Sequence, residues 1–163
     1  MFTIKTILVT TDFSDFSIAA LEYAFSLATV HEASVHLLHV VDARQWPNLR
    51  KSGKVSASSL EQTARSNMQQ FISDTIDEYS VVTPVIRTGI PADEIAQYAR
   101  EAQVDLIVMA THGRTGLAHA LIGSIAEKVI RCSTVPVFVV KPSAVIEKLI
   151  TEDDVTRELH LER

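Results

Sequence analysis

The chain has 163 residues, of which 47% are hydrophobic and 21% are charged, and its formal net charge at pH 7 is −5. This length is enough for one domain with a substantial core, and the composition is that of a globular rather than a disordered chain. Because nucleic-acid binding needs a basic surface, the acidic balance argues against DNA or RNA as a partner.

The cysteine content and the hydropathy of the chain indicate the cellular compartment in which it functions. Cys132 is the single cysteine, so the chain can form no intramolecular disulfide and no zinc site built on cysteine pairs. The N-terminal sequence lacks the cleavage pattern of a signal peptide, and no apolar run approaches the 18 residues that a membrane span needs. We therefore expect a soluble, cytoplasmic domain that does not associate with a membrane.

The first half of the chain alternates short apolar runs with a helical pattern. Residues 4–10 (IKTILVT) predict a first strand, and Ser14 is placed to cap the helix that follows it. Residues 33–41 (ASVHLLHVV) predict a second strand that is buried on both faces, because its apolar character is nearly continuous. Residues 42–57 are polar and rich in turn formers, and we interpret them as a long surface loop.

The same alternation continues beyond this loop. Ser58 and Ser59 each begin a capping-box pattern, which predicts that a second helix starts there. Residues 81–88 predict a third strand. Pro84 within it cannot donate a ladder hydrogen bond, which places this strand at a sheet edge or at a bulge. Pro91 suits the first position of a third helix.

The last part of the pattern supplies two more strands and a helix. Residues 106–109 predict a fourth, buried strand, and Ser124 with Glu127 fits a capping box at the start of a fourth helix. Residues 135–140 predict a fifth strand. These elements predict an α/β fold, an open parallel sheet with helices on both faces. Residues 143–163 follow as an acidic tail, for which a partly ordered segment and a docking helix both stay open.

Polar and small residues follow three of the predicted strands: residues 10–12, Asp42 and residues 110–116. In an open parallel sheet, ligands bind outside the carboxyl ends of the strands. Glycines in such a loop let main-chain N–H groups approach a phosphate, and the first turn of the next helix presents further free N–H groups to it. The sequence therefore predicts a nucleotide phosphate as the ligand.

Two common phosphate-binding motifs are excluded. A Walker A loop needs a lysine beside its last glycine to reach the outer phosphates, and Gly123-Ser124 has none. A dinucleotide-binding fingerprint needs Gly-x-Gly-x-x-Gly after the first strand, where this chain has Thr-Thr-Asp-Phe-Ser at 10–14. The phosphate site is therefore of another kind.

The spacing of the loop is more distinctive than its composition. Ala110-x-x-Gly113 is followed, after nine residues, by Gly123-Ser124. This resembles the ATP-binding pattern of the universal stress protein family, which is Gly, two residues, Gly, nine residues, then Gly-Ser/Thr. Further stretches similar to that family's signatures occur in the family's order: TDFS at 11–14, LLHVVD at 37–42, THGRTG at 111–116 and VPVFVVK at 135–141. The resemblance covers residues 1–142, which we interpret as the domain.

The resemblance implies a fold similar to the adenine nucleotide alpha-hydrolases, and we predict the strand order 3-2-1-4-5. It implies bound ATP, with Mg²⁺ held by the phosphates more than by the protein. It also implies a homodimer paired through Val135–Val140. The nucleotide-binding residues it implies are Thr10, Asp12 and Val40 around the adenine and ribose, Ala110 beside the ribose, and Gly113, Arg114, Gly123, Ser124 and Ile125 along the triphosphate.

Some of these residues have structural alternatives. Asp12 could cap the first helix, Ser124 could cap the fourth, and Arg114 could be a solvated loop residue. Ala110 stands where the family's pattern has its first glycine. Its methyl group costs little if φ is negative, and it distorts the pocket if φ must be positive.

Three functions remain open from the sequence. The first is an ATP-binding, regulatory stress-response homodimer. The second is a weak ATPase, and the third is a dimeric scaffold module that binds no nucleotide. Because no nucleophile–base pair can be identified, any hydrolysis would depend on positioning and the metal ion alone.

Overall fold

The computed structural model describes residues 3–45, 56–76, 81–111 and 122–141. Within these ranges strands and helices alternate along the chain. The strands are β1 (Thr6–Thr10), β2 (Ser34–Asp42), β3 (Val82–Gly89), β4 (Leu106–Ala110) and β5 (Val137–Val140), and the helices are α1 (Asp15–His31), α2 (Ala57–Thr75), α3 (Pro91–Glu101) and α4 (Ser124–Cys132). A short 3-10 turn (Ala43–Gln45) follows β2.

The strands form one parallel sheet in the order β3-β2-β1-β4-β5. Val9 in the central strand β1 lies between Leu37 of β2 and Val108 of β4. The α/β class and the predicted strand order are confirmed. Pro84 lies in β3, which is an edge strand of the sheet, as the proline predicted.

Alternate residues of the central strands point to opposite faces and meet different helices. Val9 and Leu37 belong to the cluster that includes buried residues of α1 and α2. Leu8 and Leu38 belong to the cluster that includes buried residues of α3 and α4. All four side chains are almost fully buried, so the sheet is the middle of three layers with helices on both faces.

The starts of two helices differ in detail from the sequence prediction. Ser14 is the N-cap residue of α1, although its side chain makes no capping hydrogen bond. The second helix starts earlier than the predicted Ser58 or Ser59, because Ser56 is its N-cap residue. Ser59 N–H donates to Ser56 Oγ at 3.2 Å and Ser56 N–H donates to Ser59 Oγ at 3.1 Å, so these two residues form a reciprocal capping box.

The predicted tail, residues 143–163, lies outside the described residues. Its boundary with the domain therefore stays a prediction. Across the four described ranges, no helix combines the length and apolar character that crossing a membrane requires.

Candidate functional site

A cleft of about 410 Å³ opens at the carboxyl ends of β1, β2 and β4. This volume lies within the range of sites that bind small molecules and cofactors. Seven of the residues predicted for nucleotide binding line the cleft: Thr10, Asp12, Val40, Ala110, Gly123, Ser124 and Ile125. The other two, Gly113 and Arg114, lie outside the described residues. The structure thus brings the seven together at one place, and their contacts with a ligand remain predictions.

The loop between β1 and α1 is held by a chain of hydrogen bonds. Phe13 N–H donates to Thr11 Oγ1 at 2.9 Å, and Thr11 Oγ1 lies 2.9 Å from Ser17 Oγ. The Ser17 hydroxyl donates to the Ser14 carbonyl at 2.7 Å, so Thr11 is the donor in the bond between the two hydroxyls. Because Thr11 and Ser17 are buried, this chain of bonds gives the loop one defined conformation.

Asp12 is fixed at the wall of the cleft by the residue that begins the next helix. Its Oδ1 accepts hydrogen bonds from Ser14 N–H at 3.1 Å and from the Ser14 hydroxyl at 2.5 Å. This is an Asx turn, in which the carboxylate orders the backbone two residues further along. Asp12 therefore stabilises the loop before α1 and also lines the cleft, so its structural and functional interpretations are compatible.

Phe13 has a backbone conformation that no pattern in the sequence predicted. Its φ is 64°, in the left-handed region that costs a residue with a side chain about 1–2 kcal/mol. Its ring stacks on His39 with centroids 4.2 Å apart and lies 5.8 Å from the Phe71 ring. His39 Nδ1 in turn donates to the Thr11 carbonyl at 2.8 Å. Packing against β2 and α2 therefore holds the strained residue beside Asp12.

The end of β2 contributes Val40, Val41 and Asp42 to the cleft. The side chain of Asp42 is mostly buried and forms an ion pair with Arg44 at 2.6 Å. Hydrogen bonds from the Arg44 side chain lower the pKa of Asp42 below its usual value, more than partial burial raises it. The Asp42 carboxylate is therefore charged at neutral pH, and a cation lies directly against it.

One wall of the cleft comes from α2, which the sequence prediction did not assign to the site. Leu60, Thr63, Ala64 and Asn67 line the cleft from this helix. Their spacing of three and four residues puts them on one face of a helix, so the pattern was present in the sequence. It could not be recognised without knowing that α2 packs on the same face of the sheet as α1.

The opposite wall forms where α4 meets the end of β4. Gly123 N–H donates to the Thr111 carbonyl at 2.6 Å, and Thr111 N–H donates to the Val140 carbonyl at 2.9 Å. The prediction that Ser124 caps α4 is wrong, because Gly123 has the extended backbone of the N-cap residue and Ser124 is already the first helical residue. Among the described residues, the N-cap residue of α4 is a glycine, which has no side chain to cap the helix, and the first turn of α4 lies at the cleft.

Ala110 does not distort the site. Among the described residues, the non-glycine residues with positive φ are Phe13, Glu32 and Gln103. Ala110 is the last residue of β4, in register with Val140 of β5. Extended backbone accepts alanine without strain, so the replacement of the family's first glycine is tolerated by the fold.

A second helix N-terminus also reaches the cleft, and it differs in charge. Pro91 and Ile95 of α3 line the cleft, and the first turn of α3 carries Asp93 and Glu94. Two carboxylates there oppose an anion. The one acidic residue near the start of α4, Glu127, is paired with Arg131 at 2.9 Å. The electrostatics therefore favour α4 over α3 as the place for a phosphate group.

In the part of the chain that the structure describes, His, Cys, Asp and Glu side chains form no cluster of three or more that could hold a metal ion. At the start of α4 the side-chain oxygen that lines the cleft is the Ser124 hydroxyl.

Comparisons with known proteins give a consistent result. Residues 3–141 match the sequence model of the universal stress protein family. Universal stress protein MJ0531 of Methanocaldococcus jannaschii is 34% identical over 140 residues, which cover 84% of this chain and 82% of that protein. Universal stress protein MJ0577 of the same organism is 34% identical over 153 residues, which cover 84% of this chain and 94% of that protein.

Solved structures show the same similarity. The structure of MJ0577, described as a hypothetical protein whose biochemical function was assigned from structure, matches with a TM-score of 0.74 and 35% identity over 86% of this chain and 97% of that one. Universal stress protein UspA from Lactobacillus plantarum matches with a TM-score of 0.62 and 26% identity over 85% and 98%. Residues 3–141, which match the family model, include all five strands of the sheet.

Proposed function

The chain belongs to the universal stress protein family, and from this premise we propose that it is a regulatory stress-response protein that binds ATP in the strand-end cleft. One observation carries the proposal. The same cleft combines a side-chain-lined wall of fixed shape with the N-terminus of α4, whose N-cap residue is a glycine. A nucleotide has two parts that match these two walls, a largely uncharged nucleoside and a polyanionic phosphate chain.

In the proposed complex, the nucleoside lies against the ends of β1 and β2. Backbone groups of Val40 bind the adenine, and Thr10 and Asp12 lie beside the adenine and ribose. The support is that Asp12 lines the cleft and that its hydrogen bonds with Ser14 hold it in place there. Ala110 borders the ribose from β4, where its extended backbone leaves room.

The phosphate chain lies along the start of α4. Main-chain N–H groups of Ser124 and Ile125 are proposed donors, and Gly123 at the N-cap lets the phosphate approach the backbone closely. The family's motif adds Gly113 and Arg114 from the preceding loop. Mg²⁺ fits this arrangement, because it keeps phosphate and water ligands and needs little from the protein beyond an oxygen such as the Ser124 hydroxyl. When bound, the ion would neutralise phosphate charge.

We propose that occupancy, rather than turnover, is the activity. The carboxylates identified in the cleft are each committed: Asp12 to Ser14, and Asp42 to Arg44. Phosphate release should therefore stay at background in a sensitive assay of the purified protein with Mg-ATP. Release that disappears in Gly123→Val but persists in repeated wild-type preparations would favour the weak ATPase instead.

We further propose that two copies pair through Val135–Val140. In the described part of the chain β5 is bonded on one side only, to β4, and an open apolar edge strand invites pairing. Phe138 on this strand is 41% exposed and contacts Tyr23 of α1, which is 53% exposed. Light scattering should give a dimer mass for the wild type and a monomer mass for Phe138→Glu. A monomeric wild type would contradict the pairing.

A cytoplasmic location completes the proposal. ATP is a cytoplasmic metabolite, and a single cysteine gives the chain no intramolecular disulfide to maintain. Fractionation of cells that express the full-length protein should recover it with cytoplasmic markers.

A thermal melt tests ATP binding. A ligand that binds the folded state stabilises it and therefore raises the unfolding midpoint. At a concentration 100 times the dissociation constant, this stabilisation is about 2.7 kcal/mol. We expect Mg-ATP at millimolar concentration to raise the midpoint, and AMP to raise it less because it lacks two phosphates. A midpoint that moves with neither would favour the nucleotide-free scaffold.

A further inference from the structure

An ion pair with close geometry lies at the rim of the cleft. Arg44 Nε donates to Asp42 Oδ1 at 2.8 Å, and Arg44 Nη2 donates to Asp42 Oδ2 at 2.6 Å. The Arg44 backbone N–H also donates to Oδ1 at 3.0 Å. Both carboxylate oxygens are therefore engaged by one arginine, in the bidentate arrangement that is stronger than a single contact.

The two partners have different positions relative to the cleft. Asp42, at the end of β2, lines the cleft, whereas Arg44, on the 3-10 turn, does not. The side chain of Asp42 is 15% exposed and that of Arg44 is 51% exposed. Asp42 thus contributes to the wall of the cleft, and the cation that pairs with it lies on the more exposed 3-10 turn.

We propose that Arg44 is a specificity-determining residue that acts through Asp42. By neutralising a carboxylate in the wall, it allows the cleft to accept a polyanionic ligand, although Arg44 does not line the cleft itself. This inference rests on the proposed function, because it concerns which charged forms of a nucleoside bind in that site.

Electrostatics give the sign of the effect. The pKa of Asp42 is lowered by Arg44, and an aspartate without such a partner still ionises well below neutral pH. Loss of the guanidinium therefore leaves a full negative charge in the wall at pH 7. Each phosphate charge then experiences an added repulsion that a partly buried site screens less than bulk water does. An uncharged nucleoside experiences almost none.

A merely structural role predicts a different pattern. If the ion pair only orders the end of β2, its loss should weaken ATP and adenosine equally, since both would contact Val40. Arg44→Gln and Arg44→Ala separate these cases. Glutamine keeps a hydrogen-bond donor for Asp42 without the charge, and alanine removes both.

The experiment compares calorimetric affinities for Mg-ATP and adenosine in the full-length protein at low salt. For Arg44→Gln and Arg44→Ala we expect ATP affinity to fall about fivefold to tenfold and adenosine affinity to change less than about twofold. Asp42→Asn combined with Arg44→Gln should restore ATP affinity to within about twofold of wild type. Salt at about 0.5 M should shrink the loss in the single variants.

Arg87→Ala is the matched control, because it removes one positive charge from another ion pair, with Glu101, that does not line the cleft. It should bind ATP as the wild type does. Unchanged ATP affinity in both Arg44 variants, equal losses for ATP and adenosine, or failure of the double variant to recover would each overturn the inference. Wild-type protein that binds neither ligand would instead contradict the proposed function.

Discussion

The cleft has two sides that are built by different means. On the β1–β2 side, which comprises residues 10–17 and 39–42, side chains and strained backbone hold one another in place. On the β4–α4 side, which comprises residues 110–111 and 123–126, the lining residues include the first turn of a helix whose N-cap residue is a glycine. The first side is held in one shape by its own contacts, and the second presents the main-chain N–H groups of a helix N-terminus.

This difference suggests that the two sides recognise different parts of a ligand. A wall that its own hydrogen bonds hold in one shape selects by that shape, as a nucleoside requires. N–H groups at a helix N-terminus select an anion, as a phosphate requires. Changes to the shape of the β1–β2 side should therefore affect all nucleosides alike. Changes to the donors of the β4–α4 side, or to the net charge of the cleft wall, should affect phosphorylated ligands more than adenosine.

The largest effect is expected for a substitution on the β4–α4 side. Gly123→Asp places a carboxylate at the N-cap, where it bonds the free N–H groups and repels phosphate. We expect calorimetry to show ATP affinity about 100-fold lower, which is about 2.7 kcal/mol, with adenosine affinity unchanged. Gly123→Asn has the same shape without the charge and should lose less than about tenfold. An equal loss for adenosine would contradict the division between the sides.

The next largest effect concerns the strained backbone at Phe13 on the β1–β2 side. Phe13→Ala removes the ring that packs on His39 and Phe71 but keeps a side chain at φ 64°. We expect it to lower the free energy of unfolding by about 2 kcal/mol, because the ring is only partly buried. Phe13→Gly should cost about 1 kcal/mol less, since glycine adopts positive φ freely. Denaturant titrations in which alanine is the more stable of the two would refute the strain.

A smaller effect concerns ligand contact on the same side. Asp12→Ala removes the carboxylate that Ser14 fixes at the wall. Adenosine should lose about tenfold in affinity, or about 1.4 kcal/mol, and ATP should lose less, because the same change removes a negative charge that repels the phosphates. Asp12→Asn keeps an acceptor for Ser14 and serves as the control for loop order. Adenosine affinity that stays unchanged in Asp12→Ala would contradict a nucleoside contact at this residue.

The smallest effect compares two serines near helix starts. Ser17→Ala breaks the hydroxyl chain between Thr11 and Ser14 in a buried place, and should lower the free energy of unfolding by about 1 kcal/mol. Ser124→Ala should change it by less than about 0.5 kcal/mol, because Ser124 is a helical residue and not the N-cap. Similar losses in both variants would restore a capping role for Ser124.

The sequence predicted the sheet and the β4–α4 side better than the β1–β2 side. The parallel sheet follows from the alternation of elements, its strand order accompanied the family resemblance, and the spacing of Gly113 and Gly123 is a linear pattern. Such patterns need no knowledge of what packs against them. The site residues that were predicted from these patterns lie at one cleft wherever the structure describes them.

The remaining features depend on tertiary contacts that no local pattern carries. Positive φ at Phe13 is set by its packing on His39 and Phe71, which are distant in sequence. By sequence, Ser58 and Ser59 fitted the start of the second helix and Ser124 fitted the start of the fourth, whereas the N-cap residues are Ser56 and Gly123. The backbone decides among them, since the N-cap residue is extended and the next is helical.

The central claim is that the two sides respond to different parts of one ligand, and amide NMR titration tests it most directly. In the full-length, isotope-labelled protein, ATP and adenosine should both shift the amide signals of Asp12 and Val40. The signals of Gly123, Ser124 and Ile125 should shift with ATP and stay in place with adenosine. Shifts at Gly123–Ile125 that are equal for the two ligands, or absent with ATP, would contradict the account.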